Sequence, residues 1–431
     1  MFENMKQVET FFYNRRAFGI QPGLDRIEEL LNDLDNPQKK IKAIHIAGTN
    51  GKGSTINYLK NTLMTNHYKV GVFTSPSMTD ITGHLFINDV SIKDEEFISI
   101  MNDIYSNIIK MDEKGRHLTE FEIITVIAFV YFHRHTDIAL IETGMGGRED
   151  ATNCVLPLIS IITNVDLDHK VYLGNTLEQI ASHKAGIIKS NTPVVIGEMQ
   201  SNAFNIILKE ARLKKASIYK LGIDFCYSDV VSKSPGERFI WHSQGVELSV
   251  KIKMQGKHQI NNSSLALKAL ELLKEQGFII DQNKTLTALE CTQIPGRFEI
   301  IHKNPMIILD GAHNPAGITS FLETISTRFG RVNKQLVFGV FKDKDVDGMI
   351  QQCIPYFESV MLTTFKHQRA ANLDELSKYS IYQNVHIEDD WEEQLSNILC
   401  QSNNNKDIYF YTGSLNFISQ VREKIRQKGL L

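Results

Sequence analysis

Short β-branched runs that stop abruptly at Gly, Asp, Glu or Thr and give way to helical periodicity recur along this chain. Ala43-Ile44-His45-Ile46-Ala47 runs into a glycine-rich turn, residues 69–73 into Thr74-Ser75-Pro76, and residues 137–141 into Glu142-Thr143-Gly144. Residues 158–165 run into Asp166-Leu167-Asp168-His169, and residues 192–196 form another such run. Between them, residues 54–68 place Leu59 and Leu63 on one helical face, and residues 120–133 are apolar nearly all round, as in a buried helix. Continuous β-branched runs alternating with helices require a parallel sheet covered on both faces, which makes the fold α/β.

A second series of runs follows Pro295-Gly296: residues 306–309, 335–340, 360–365, 384–387 and 408–411. A Pro-Gly pair between two periodic regions is a turn or linker signal. The expected division is therefore a first domain over residues 1–295 and a smaller C-terminal α/β domain over 296–431. The polar, alternating stretch 221–254 reads as a hairpin insertion, and Gln401-Ser402-Asn403-Asn404-Asn405 as a loop.

Composition narrows the function. At 431 residues and 42% hydrophobic content, the chain buries a large core without disulfides or structural metal. Lys plus Arg number 47 against 50 Asp plus Glu, a balance that argues against a dedicated nucleic-acid binder. The five cysteines (Cys154, Cys226, Cys291, Cys353, Cys400) are scattered with no C-x-x-C pair, so neither a disulfide framework nor a zinc knuckle is expected. Residues 1–12 lack a signal-peptide profile. The apolar stretch 123–132 is about half of the ~20 residues that a membrane span needs. The expectation is a cytoplasmic protein without membrane partners.

The chemistry concentrates where runs end. Gly48-Thr49-Asn50-Gly51-Lys52-Gly53-Ser54 lies directly between a strand and a helix. Glycines let successive backbone N–H groups converge on phosphate oxygens, the helix N-terminus adds positive potential, and Lys52 reaches terminal phosphates. The general G-x-x-x-x-G-K-[ST] pattern fails, because Ile46 stands where its first glycine belongs and Gly53 follows Lys52. Glu142 ends a buried strand, where open α/β sheets bind ligands, and beside a triphosphate it suits Mg²⁺. His169 ends the next run; hardness rules alone do not select it as a Mg²⁺ ligand. Lys184, in Ser182-His183-Lys184-Ala185-Gly186, becomes a nucleophile if burial strips its proton. In the C-terminal domain, Asp310 and His313 of Asp310-Gly311-Ala312-His313-Asn314-Pro315 suit ribose and phosphate. Arg297 suits developing negative charge.

Taken together, these segments resemble the folylpolyglutamate synthase/dihydrofolate synthase family of the Mur-ligase superfamily. The resemblance rests on Gly23-Leu24-Asp25-Arg26-Ile27, on His45-Ile46-Ala47-Gly48-Thr49-Asn50-Gly51-Lys52-Gly53-Ser54, and on Thr74-Ser75-Pro76. It extends through Thr119-Glu120-Phe121-Glu122, Glu142-Thr143-Gly144-Met145-Gly146-Gly147-Arg148, Lys184-Ala185-Gly186-Ile187 and His258-Gln259 with Asn262. It ends with Ile294-Pro295-Gly296-Arg297-Phe298-Glu299, the Asp310 to Pro315 turn, Lys342-Asp343-Lys344-Asp345 and Gly413-Ser414. It implies a P-loop ATPase domain with a parallel sheet plus a smaller Rossmann-like domain. It also implies an ATP-dependent ligase that joins L-glutamate to a folate carboxylate through an acyl phosphate, with dihydropteroate as a further acceptor.

On this resemblance Thr49, Asn50, Gly51, Lys52, Gly53, Ser54, Asn262, Arg297, Asp310 and His313 bind ATP, which bridges the domains. Ser75, Glu142 and His169 hold two Mg²⁺ ions. Thr119, Phe121, Glu122 and Asp150 bind the acceptor. Lys52, Lys184 and His313 serve catalysis, Lys184 as a carbamate. The family implies a monomer. The competing readings are a Mur-type ligase acting on another carboxylic acid and a nucleotide- or folate-binding paralogue without turnover. The chain departs from the family pattern in Ser77-Met78-Thr79-Asp80-Ile81-Thr82-Gly83-His84, at Glu149, at His183 and at Asn416.

Overall fold

Every residue of the strand Ala43–Ala47 (β1) is buried, so both faces of the sheet at this strand are covered. The computed structural model describes residues 1–77, 80–232, 236–330, 332–400 and 407–430. Met78 and Thr79 of the divergent stretch, and the loop read at residues 401–405, lie outside the described residues. Contacts divide the chain into two compact units. The first comprises Met1–Ser228, Ile240–Val250 and Asn261–Glu290; the second comprises Asp229–Phe239, Lys251–Ile260 and Cys291–Leu431.

In the first unit β1 is joined by Val70–Phe73 (β2), Leu85–Ile87 (β3), Val90–Ser91 (β4), Ile138–Glu142 (β5), Ile159–Ile162 (β6), Val194–Ile196 (β7) and Ile218–Lys220 (β8). The order is β4-β3-β2-β5-β1-β6-β7-β8. From β2 to β8 all neighbours are parallel, and β3 and β4 add an antiparallel edge. The chain passes from β5 across β1 to β6, so the strand order reverses around β1. The carboxyl ends of β5, β1 and β6 therefore frame the crevice where such sheets take ligands.

Apolar clusters of helices and strands clothe this sheet. Helices Asp94–Glu113 and Glu120–His135 pack with Ala43, Phe73 and Ile141. Helices Leu177–Ala185 and Ser201–Leu213 pack with Ile162, Val194 and Ile196. The helix Glu120–His135 is buried along most of its length, as its all-round apolar pattern predicts. Thr119 and Glu122 cap its start reciprocally, and His133, Arg134 and His135 meet the negative end of its dipole. Phe129, fully buried within it, contributes ~1.5–3 kcal/mol by leaving water.

The 221–254 insertion holds Phe225–Ser232 (β9), Glu237–Ser243 (β10) and Val246–Ile252 (β11), paired in the order β11-β10-β9. The second unit's main sheet takes Glu299–Lys303 (β12), Met306–Leu309 (β13), Lys334–Gly339 (β14), Ser359–Thr363 (β15), Val385–Ile387 (β16) and Ile408–Thr412 (β17). Its order is β12-β13-β17-β14-β15-β16, parallel except for the edge strand β12. Two boundaries differ from the periodicity. The helix after the glycine loop spans Lys52–Thr65, because Gly51 supplies its N-cap in the left-handed region and the last turn closes on Asn66. The run at 158–165 is strand only to Ile162, so His169 does not end a strand. It lies in the following loop, with φ 50° at the N-cap of the short helix Lys170–Leu173.

Candidate active site

The glycine loop is held from below by β6 and the loop after it. The side-chain oxygen of Asn164 accepts from the Thr49 amide at 3.0 Å and from the Asn50 amide at 2.9 Å. Thr49 Oγ1 donates to the Asp166 carbonyl at 3.1 Å and accepts from the Asp166 amide at 3.0 Å. Thr163 Oγ1 donates to the Asn50 carbonyl at 2.5 Å. Two loop amides are thus spent on the scaffold. The first-turn amides of Lys52, Gly53 and Ser54, by contrast, have no acceptor within their helix and point past its N-terminus. Gly51 has φ 85°, and a Cβ there would run into the Asn262 side chain, so loop and Asn262 are in contact only because residue 51 is glycine.

Lys52 bends back over its own loop. Its Nζ donates to the Gly48 carbonyl at 3.1 Å and stands 3.9 Å from Glu142 Oε1. Glu142 is the last residue of β5 and is 5% exposed. Thr74, just past the end of β2, donates to its other oxygen at 2.5 Å. Because β2 and β5 pair in parallel with Phe73 beside Ile141, Thr74 and Glu142 follow at adjacent positions, with Ser75 next in the chain.

Lys184 lies in the last turn of Leu177–Ala185 and is 3% exposed. Among the described residues its side chain has no ion pair, and the charges that act on it are those of Lys52, Asp168, Asp166 and Asp150. Burial, and then the charge of Lys52, bring its ammonium down to about 7, against the opposing pull of Asp168, Asp166 and Asp150. Burial in turn raises Asp166, which Lys184 partly offsets. Lys52, Lys184, Asp166 and Asp168 therefore act on one another across a single cluster. His169 is exposed beside it, its amide donating to Asp168 Oδ1 at 2.8 Å.

The acceptor-side residues are bound into their surroundings. Glu122 accepts from the Thr119 amide at 2.7 Å, from Thr119 Oγ1 at 2.9 Å and from Arg26 Nε at 3.1 Å. Phe121 packs 5.7 Å from the Phe73 ring and covers Gly144, where a Cβ would lie 2.6 Å from its ring. Asp150 is 7% exposed, and its oxygens take the amides of Gly144, Met145 and Thr152 together with the Thr152 hydroxyl. Of the departures, Glu149 is exposed, and its backbone carbonyl accepts from the Gly23 amide at 3.3 Å. His84 donates from Nδ1 to the Thr74 carbonyl at 2.8 Å.

In the second unit Asp310 follows β13 and is 7% exposed. It accepts from the Phe298 amide at 3.0 Å and the Ala312 amide at 2.9 Å. Burial pushes its carboxyl up to about 6, against the nearby Arg297 guanidinium. His313 donates from Nδ1 to the Gly311 carbonyl at 2.8 Å, and Asn314 caps the helix Pro315–Phe329. The sequence-predicted residues thus fall into a first-unit group around Lys52 and a second-unit group around Asp310. The sequence assigns no role to Asn164, Thr163, Thr74, Arg26 or Thr152, although Thr74 and Arg26 stand within the segments that carry the resemblance. Asn164 carries one signal, an amide side chain within the otherwise mostly apolar run 158–165.

The Mur ligase middle domain matches residues 46–270, and the Mur ligase glutamate ligase domain matches residues 296–415. The dihydrofolate synthase/folylpolyglutamate synthase of Bacillus subtilis (strain 168) is 34% identical over 99% of this chain and all of its own length. A folylpolyglutamate synthase structure from Thermotoga maritima is 33% identical with a TM-score of 0.83, covering 99% of this chain and 97% of its own. E. coli FolC, solved in complex with DHPP and ADP, is 25% identical with a TM-score of 0.87, covering 99% of both chains. Domain matches along most of the chain, together with relatives aligned end to end, establish that this protein belongs to the folylpolyglutamate synthase/dihydrofolate synthase family of Mur ligases and is a ligase that forms C–N bonds.

Proposed function

We propose that the protein uses ATP to join L-glutamate to the carboxylate of a folate, with dihydropteroate as a second acceptor. The observation that carries the reading is the Lys52–Glu142 approach at the switch point of the sheet, with the buried Lys184 acting on Lys52 beside it. In this reading the first-turn amides of Lys52, Gly53 and Ser54 and the Lys52 ammonium receive the phosphates, on a loop pre-set by Thr49, Asn50 and Gly51. Asn262, Arg297, Asp310 and His313 contact the nucleotide. The γ-phosphoryl passes to the acceptor carboxylate, giving an acyl phosphate and ADP. The glutamate amine then attacks the acyl carbon, phosphate leaves, and the amide remains. Lys52, Arg297 and His313 stabilise charge on the moving phosphoryl group.

Thr119, Phe121, Glu122 and Asp150 bound the acceptor pocket. Phe121 offers a ring face, whereas Glu122 and Asp150, whose oxygens are occupied, shape its wall. The oxygen donors at the strand ends, Glu142 with the neighbouring Thr74 and Ser75 hydroxyls, have the hardness that Mg²⁺ prefers. Ser75, Glu142 and His169 would hold two such ions, which supply neutralisation of phosphate charge when bound. The buried Lys184 amine, poised near neutrality, is suited to capture CO₂: the N–C bond forms, a proton is released, and a carbamate stands among Lys52 and the aspartates. The domain boundary is placed between 295 and 296. The enzyme is read as a cytoplasmic monomer acting on small molecules, without nucleic-acid or membrane partners, and no helix among the described residues is long and apolar enough to cross a membrane.

The test is ADP release with glutamate and Mg²⁺, comparing tetrahydrofolate, dihydropteroate and no acceptor. Release with both pterins is expected. Release with tetrahydrofolate alone removes the dihydropteroate activity, and release with neither overturns the folate reading.

A further inference from the structure

We propose that His45, a neutral Nε2–H tautomer in the centre of β1, is a positioning residue. It fixes the Gly144-Met145 segment after Glu142 through a hydrogen-bonded chain of Thr152 and Asp150.

A fully buried polar ring in the middle of a central parallel strand is costly unless it is engaged, and His45 is 0% exposed. Its Nε2 lies 2.9 Å from Thr152 Oγ1. That hydroxyl has one hydrogen, and its 2.5 Å contact with Asp150 Oδ1 claims it, because the carboxylate oxygen already accepts the Thr152 amide at 3.1 Å. Thr152 Oγ1 therefore accepts from His45, which assigns the proton to Nε2. The Nδ1 atom is left as a buried acceptor with no partner among the described residues. Burial and the charge of Lys189 bring the ring down to about 3, in keeping with a neutral imidazole.

The other end of the chain is as closely determined. Asp150 Oδ2 takes the Met145 amide at 2.7 Å, and the Gly144 amide also donates to this carboxylate. Four donors fill the four lone-pair positions of Asp150. The carboxylate thus acts on its own loop, and its orientation is set by Thr152, whose hydroxyl is set by His45. That loop begins one residue after Glu142 and lies under the Phe121 ring. A residue three positions before the phosphate-binding loop therefore governs the shape of the acceptor wall, a statement that rests on the acceptor-site reading above.

The test compares His45→Gln, which keeps an N–H near the Nε2 position, with His45→Leu, which removes it at similar volume. The readouts are KM for tetrahydrofolate, KM for ATP, and hydrogen exchange of the Met145 amide in the full-length protein. Expected for His45→Leu is a tenfold or greater rise in acceptor KM, a change below twofold in ATP KM, and at least tenfold faster exchange at Met145. His45→Gln stays within threefold of wild type. Thr152→Val reproduces His45→Leu, and the double variant is no worse than either single. Wild-type exchange at Met145 in His45→Leu, or additive effects of the two substitutions, overturns the proposal.

Should His45→Leu fail to fold, ¹⁵N NMR of the wild-type imidazole decides. A neutral ring protonated on Nε2 down to pH 5 supports the chain, and an Nδ1–H tautomer overturns it. Asp150→Asn separates the two levels of the argument. Unchanged acceptor KM in that variant removes the acceptor-site reading, and the tautomer and the Met145 exchange then judge the chain by themselves.

Discussion

Lys184→Met converts the most unusual electrostatic feature of the site into a measurable stability. The substitution keeps the length and the apolar stem and removes the amine. In the folded state burial brings that amine from its ordinary 10.5 to about 7. At ~1.4 kcal/mol per pH unit this is worth at most ~5 kcal/mol, and ~2–4 kcal/mol once the surroundings relax. The sign follows from proton counting. Between about pH 7 and 10.5 the unfolded chain carries a proton that the folded chain lacks, so stability rises with pH across that window. Below pH 7 the full penalty applies. Lys184→Met therefore stabilises the first unit by ~2–4 kcal/mol at pH 6 and by about nothing near pH 10.5. Urea unfolding in CO₂-depleted buffer measures this, with Trp241 as reporter in a Trp391→Phe background. Trp241 lies in the first unit and is 2% exposed. Identical pH dependence of wild type and Lys184→Met would refute the reasoning, because it would mean that Lys184 keeps its proton.

Three further outcomes follow from the geometry. Glu142→Gln, which weakens the metal-side donor and the contact with Lys52, is expected to raise the Mg²⁺ concentration for half-maximal ADP release at least tenfold; an unchanged Mg²⁺ titration would remove its ligand role. Asn164→Ala removes the side-chain acceptor shared by the Thr49 and Asn50 amides, leaving Thr49 the residue-164 backbone carbonyl at 3.3 Å, and is expected to cost ~1–3 kcal/mol in ATP binding by calorimetry. Wild-type affinity would show that the loop holds its shape without that acceptor. Arg328→Met leaves Glu237, 2% exposed and 2.5 Å from that guanidinium, as a buried charge held among the described residues by the Gly256 amide. The expected loss is ~3–5 kcal/mol of second-unit stability in urea, and a loss below ~1 kcal/mol would contradict the burial of the pair.

The parallel sheets were legible in the sequence because their strands are buried on both faces and read as continuous apolar runs. β1 and β13 fall where the runs do. The antiparallel edge β3 and β4 and the strand β8 were not legible. They are two or three residues long, β4 and β8 are partly exposed while β3 buries only Leu85 and Ile87, and so short a local pattern does not differ from that of a loop. Lys52, Glu142 and Lys184 stood out because strand ends and glycine loops concentrate unusual residue types. His169 was placed on a strand end because Val165 extends the apolar run beyond Ile162, where pairing stops. The polar scaffold of Asn164, Thr152 and Arg26 was missed for a different reason. Each acts on residues distant in sequence, as with Arg26 on Glu122, and spacing along the chain carries no trace of such pairs.

The central claim is that the acceptor carboxylate is phosphorylated before the amide forms. The direct measurement uses tetrahydrofolate with ¹⁸O in its carboxylate, incubated with ATP, Mg²⁺, L-glutamate and the full-length protein, with the released phosphate read by mass spectrometry. The account predicts one ¹⁸O atom transferred to inorganic phosphate for each amide bond made. Amide formation with unlabelled phosphate would contradict it.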